Sequence, residues 1–145
     1  MFQHILVATD GSLLSEAAVD NAMSLARDAG AKVTAVTVTE PFQVIAADSK
    51  QLSDTKEAYD RHVKAEAARY VASAERKAKA LGVQCRVVQV ESEEPYKAII
   101  DTAKASGCDL IAMASHGRRG VSALVLGSVT NKVLTHSSIP VLVYR

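Results

Sequence analysis

Cysteine is scarce: Cys85 and Cys108 are the two in 145 residues, and neither has CxxC or CxxH spacing. A disulfide framework and a zinc site are both excluded on that count, and the pair is expected to be buried, reduced thiol. Long apolar runs are missing as well. No stretch reaches the roughly 18 apolar residues of a membrane span, and the opening MFQHILVATDGS has no basic segment leading into a long apolar one. A cytoplasmic protein with no membrane partner is expected. Charge of one sign is also lacking. With 17 basic against 16 acidic residues the net charge is +1, so there is no broad basic field to grip nucleic acid, and no nucleic-acid partner is expected. No repeat or low-complexity tract interrupts the chain, whose length suits one domain, residues 1–145, burying roughly 70% of its unfolded surface.

What is present is alternation. HILVAT (His4 to Thr9), KVTAVTV (Lys32 to Val38), QCRVVQV (Gln84 to Val90), LIAMA (Leu110 to Ala114) and VLVYR (Val141 to Arg145) read as strands bounded by turn signals. The first, fourth and fifth are almost continuously apolar, as strands covered on both faces should be. Helices are expected over Ser12 to Ala29, about Gln51 to Leu81, Pro95 to Ser106, and about Gly127 to His136. Gly30, Gly82 and Gly107 fall just past helix ends, where a left-handed residue is commonly needed. In the second helix, Leu52, Tyr59, Val63, Tyr70, Ala74 and Leu81 recur as one apolar stripe, expected to lie against a sheet. The connection Thr39 to Lys50 has no clear period and reads either as a flap over a ligand or as a packed loop. Alternating strands and helices imply a doubly wound α/β domain with helices on both faces of a parallel sheet. Ligands of such sheets sit beyond the carboxyl ends of the strands, where the winding reverses.

Two of those strand ends carry polar chemistry. In ATDGSLL, Asp10 comes after the first strand and Ser12 precedes a helix. Ser12 reads as a helix cap, whereas Asp10 is placed to accept a hydrogen bond from a sugar hydroxyl or to help hold a cation. A phosphatase of the D-x-D-G-[ST] type is excluded, because Ala8 stands where the nucleophilic carboxylate would be. A receiver domain is excluded because the third strand runs into Glu91 rather than a phosphoacceptor aspartate. After the fourth strand comes MASHGRRGVSALVLGSVT, from Met113 to Thr130. Gly117 and Gly120 let a loop turn its amides inward, Arg118 and Arg119 add positive charge, and Gly127 with Ser128 opens a helix whose free N–H groups favour an anion. Neither a Walker A loop nor a dinucleotide fingerprint is present. From the residues alone the stretch is either a phosphate cradle or a loop with two turn glycines and solvated arginines. His116 reads either as a phosphate contact or as a partly exposed loop histidine.

Over its full length the sequence resembles the universal stress protein family, through ILVATDGS, ASHGRRGVSALVLGSVTNKVL and IPVLVYR. The nucleotide-binding branch of that family carries G-x2-G-x9-G-[ST]. Gly117, Gly127 and Ser128 match it, and Ala114 stands at the first glycine. The resemblance implies a Rossmann-like, adenine nucleotide alpha hydrolase-like fold with strand order three-two-one-four-five. It implies that Ala8, Thr9, Asp10 and Val38 flank adenine and ribose, with Val38 offering main-chain contacts to the base. Met113, Ala114, His116, Gly117, Arg118, Arg119, Gly120, Gly127, Ser128, Val129 and Thr130 would then surround the phosphates. A left-handed backbone at Ala114 would cost roughly 1–2 kcal/mol. The expected ligand is ATP, or ADP or AMP, with Mg2+. The expected role is regulation of an unidentified protein partner in the stress response. The alternatives are a scaffold that binds no nucleotide and a slow ATPase, the last ranked lowest because no nucleophile-and-base pair is visible. The apolar edge strand Val141 to Arg145 predicts a homodimer, as does the resemblance.

Overall fold

The computed structural model describes residues 1–42, 49–117 and 126–145, residues 49–54 by their backbone alone. Strands and helices alternate along it: β1 His4–Ala8, α1 Leu13–Ala29, β2 Lys32–Thr39, α2 Ser49–Leu81, β3 Cys85–Glu91, α3 Pro95–Ala105, β4 Leu110–Ala114, α4 Ser128–His136 and β5 Val141–Tyr144. Each falls within two residues of its expected position. The strands form a five-stranded parallel sheet in the order β3-β2-β1-β4-β5, which is the doubly wound order expected.

The two-residue period of the strands divides the core between the faces. Ile5 and Val7 of β1 and Val33 and Ala35 of β2 pack against Val19, Ala22, Met23 and Ala26 of α1 and Ala74 and Ala78 of α2. Leu6 and Val36 point the other way, into Ile99, Ile100 and Ala103 of α3 and Val133 of α4. Fully burying a side chain such as Ile5, Leu6 or Ile111 contributes roughly 1.5–3 kcal/mol, so the central strands are fixed from both sides. β5 differs from its expectation. Its residues are only partly buried and Leu142 is exposed, because at the end of the sheet a strand has a neighbour on one side only.

Turn chemistry then aims the loops. Ser12 caps α1, its hydroxyl accepting from the Ser15 N–H at 3.2 Å, a contact that contributes about 1 kcal/mol. Gly30, Gly82 and Gly107 take the left-handed backbone expected of them. On the outer side of α1, the Lys77 ammonium bridges Glu16 at 2.6 Å and Asp20 at 3.0 Å, which fastens α2 to α1. Cys108 is buried, but Cys85, expected to be buried, is only half-buried, since β3 is the other edge of the sheet. Burial still pushes both thiols up to about 11. Among the described residues no helix is long and apolar enough to cross a membrane.

Candidate functional site

A cavity of about 610 Å³ opens over the carboxyl ends of β1, β2 and β4, between the first turns of α3 and α4 on one side and α2 on the other. Most of the residues expected at a site meet there: Ala8, Thr9, Asp10, Val38, Met113, Ala114, His116, Gly117, Gly127, Ser128, Val129 and Thr130 all line it. Arg118, Arg119 and Gly120 lie outside the described residues, as do residues 43–48 of the connection expected to be a flap or a packed loop.

The loop after β1 is held by its own hydroxyls. Thr9 is buried, with its Oγ1 3.1 Å from the Ser15 Oγ, and Gly11 N–H donates to the same Thr9 oxygen at 3.2 Å. Asp10 Oδ1 accepts from the Ser12 N–H at 3.0 Å. That bond turns the other carboxylate oxygen toward Gly117, and a Cβ on Gly117 would overlap Asp10 Oδ2. A side chain at Gly117 would thus displace the Asp10 carboxylate; the backbone of Gly117 is not among the left-handed glycines.

β2 outlasts β1, which leaves a polar edge over the cavity. Thr9 N–H donates to the Val36 carbonyl at 3.0 Å, and the pairing of β1 with β2 goes no further than Ala8 with Val36. Residues two apart in a strand face the same neighbour. Val38 thus turns its N–H and C=O to the side where β1 has already ended, while its side chain packs with the α3 face of the core.

The far end of the cavity is a helix start. Gly127 precedes α4 without a side-chain cap, and its own N–H is taken by the Ser115 carbonyl at 2.8 Å. Beyond it, the first N–H groups of α4 have no partner within the helix, so they present partial positive charge to the cavity. Thr130 Oγ1 donates to the buried Ala114 carbonyl at 2.8 Å, locking α4 to the end of β4. Ser115 N–H donates to the Tyr144 carbonyl at 2.6 Å. A Cβ on Gly127 would approach within 3.0 Å of the His116 Cα, so glycine lets the helix start close against this loop. His116 Nδ1 lies 3.1 Å from Ser115 Oγ. Ala114 itself is an ordinary strand residue, and no described residue other than glycine has a positive φ. The backbone penalty of a left-handed alanine is absent.

The wall formed by α2 was not expected. Tyr59, His62, Val63, Glu66 and Tyr70 line the cavity, so the apolar stripe meets the sheet only from Ala74 onward. The Tyr70 hydroxyl donates to Glu66 at 2.7 Å, and Arg69 pairs with the same carboxylate. Hydrogen bonds from Arg69 and then Tyr70 hold the Glu66 carboxyl below its ordinary value. Tyr59 donates to the Glu40 carbonyl at 2.8 Å and its ring lies 5.4 Å from that of Phe42. Tyrosines among the aliphatic members of the stripe, with His62 and Glu66 interleaved, were the available signal. On the opposite wall stand Glu93, Glu94, Tyr96 and Lys132.

Residues 1–145 match the universal stress protein family. The chain belongs to that family. The relative YxiE of Bacillus subtilis is 33% identical over 149 residues, covering 100% of both chains. Universal stress protein MJ0531 of Methanocaldococcus jannaschii is 28% identical over 147 residues, covering 100% of this chain and 83% of its own. Among solved structures, the hypothetical protein MJ0577 superposes with a TM-score of 0.81 at 25% identity, over 99% of this chain and 95% of that one. A universal stress protein in complex with cAMP superposes with a TM-score of 0.71 at 27% identity, over 99% and 97%.

Proposed function

We propose that this universal stress protein binds an adenine nucleotide in the cavity above β1, β2 and β4, with ATP, ADP or AMP as ligand and Mg2+ alongside. The observation that carries the reading is that the uncapped start of α4 opens into the same cavity as the Asp10–Gly117 contact. A phosphate chain fits the first, since exposed N–H groups and the helix dipole favour an anion. A ribose hydroxyl or a phosphate-bound cation fits the Asp10 carboxylate. Mg2+ usually keeps several waters and takes one or two carboxylates besides phosphate oxygens, and among the described residues no group of three or more ligating side chains competes with that arrangement. The adenine then faces the main-chain edge of Val38. The cAMP complex of a relative supports the same class of ligand.

The role we assign is regulatory: the nucleotide favours one state of the protein over another by binding it more tightly, and an unidentified protein partner reads the state. The dimer belongs to this reading. Among the described residues β5 pairs with β4 alone, and its Leu142 is exposed, so a second copy pairing along β5 would cover the edge. Light scattering on a size-exclusion column should give twice the chain mass, and a monomer at micromolar concentration overturns the dimer.

Titration calorimetry with ATP, ADP and AMP, with and without Mg2+, tests the ligand. Nucleotide at about 100 times its dissociation constant should stabilise the fold by roughly 2.7 kcal/mol. No heat and no thermal shift at millimolar ATP would leave the scaffold reading in its place.

A further inference from the structure

We infer that Lys132 is a specificity-determining residue of the cavity, one that reads the charge of a polyphosphate chain and so favours nucleoside triphosphates over monophosphates. The inference rests on the nucleotide reading above. Among the described residues, Lys132 is the one lysine or arginine that lines the cavity, and it forms no ion pair there with a described carboxylate.

Its position comes from the helix. Ser128 and Lys132 are four residues apart on α4 and so share a face, and both line the cavity, while Val133 is buried in the core beneath the helix. Side chains on a helix lean toward its N-terminus. The Lys132 side chain is long enough to carry its ammonium from there toward the first turn, where the phosphate reading puts its anion.

The side chain is also held in place. Lys132 Nζ lies 5.5 Å from the centre of the Tyr96 ring, and that ring in turn lies 5.2 Å from the ring of His136, one turn further along α4. Tyr96 enters through Pro95 at the start of α3, so two helices fix the shelf on which the lysine rests. A cation over an aromatic face gives up part of its freedom before the ligand arrives, and less remains to be lost on binding. Phosphate charge grows with chain length, so one fixed ammonium at this end contributes more to ATP than to AMP.

Calorimetry on Lys132→Met, with ATP and AMP at two salt concentrations, tests this. Lys132 is exposed, so the variant should melt like the wild type. The expected result is a roughly tenfold loss for ATP, a loss below about threefold for AMP, and a shallower salt dependence for ATP. Lys132→Arg should keep the preference, and Tyr96→Leu should lose part of it. An unchanged ratio of ATP to AMP affinity in Lys132→Met overturns the inference while leaving the nucleotide reading intact. A wild type that binds neither nucleotide overturns both.

Discussion

The carboxylate of Asp10 fills the space that a side chain on Gly117 would need. The two residues come from the ends of different strands, β1 and β4, which are neighbours only because the chain winds outward in both directions from them. Gly117→Ala should therefore leave the fold intact and move the Asp10 carboxylate. Nucleotide affinity should fall by about tenfold or more. In an Asp10→Ala background the same glycine substitution should cost little further, because the contact is already gone. Additive losses in calorimetry would show that the two act separately.

Ala114→Gly tests the departure from the family pattern. Since Ala114 sits in β4 with a strand backbone, glycine relieves no strain there. Chemical denaturation should show a loss of roughly 0.5–1 kcal/mol from the added backbone freedom. Nucleotide affinity should change by less than about threefold; a much larger gain would mean that the methyl group obstructs the ligand.

Gly11 combines a φ of 77° with the Tyr70 ring lying where its Cβ would be. Gly11→Ala should cost roughly 1–2 kcal/mol from the left-handed backbone alone, with the displaced ring adding to it. In a Tyr70→Ala background only the backbone part should remain. Equal losses in both backgrounds, measured by urea unfolding, would remove the ring from the account.

His4 links stability to pH. It is buried at the start of β1 with its Nε2 2.7 Å from Thr34 Oγ1. Burial, then Lys32, lowers its pKa; Asp109 opposes them and Arg86 adds to the lowering. A histidine lowered in the fold binds its proton more readily when unfolded. Stability is then full above the ordinary value of about 6.5 and falls as pH drops from there through the folded value. The slope from this one group stays below about 1.4 kcal/mol per pH unit. Thermal melts from pH 7.5 to 5 should show the decline, and His4→Gln should flatten it.

Much of the architecture was legible because strand and helix periods leave different marks. Ile5, Leu6 and Val7 could only be a strand covered on both faces, and Ser12 and Gly30 marked the ends of α1 by their chemistry. Asp10 and Gly117 stood out because each lies just past the carboxyl end of a strand, where a doubly wound sheet keeps its ligands. What could not be read was distance across the fold. The stripe through Tyr59, Val63 and Tyr70 shows a face but not how far the helix carries it past the sheet, so the cavity wall passed for core. The apolar run of β5 reads like that of β1 and so suggested cover on both faces, which its expected place at the edge of the sheet does not provide. Nothing in the sequence singles out Lys132, because the Tyr96 ring beside it comes from a different helix, distant in sequence.

The length of α2 has a consequence of its own. Its 33 residues make a rod about 50 Å long, whereas the eight residues of β2 beneath it extend only about 26 Å. From Ala74 onward the rod is anchored in the core, and before that Tyr59, Val63 and Tyr70 make it the side of a vessel. Removing two turns between those halves would lower the rim by about 11 Å and leave the anchored part in register, so the depth of the vessel and the stability of the fold are set by different stretches of one helix.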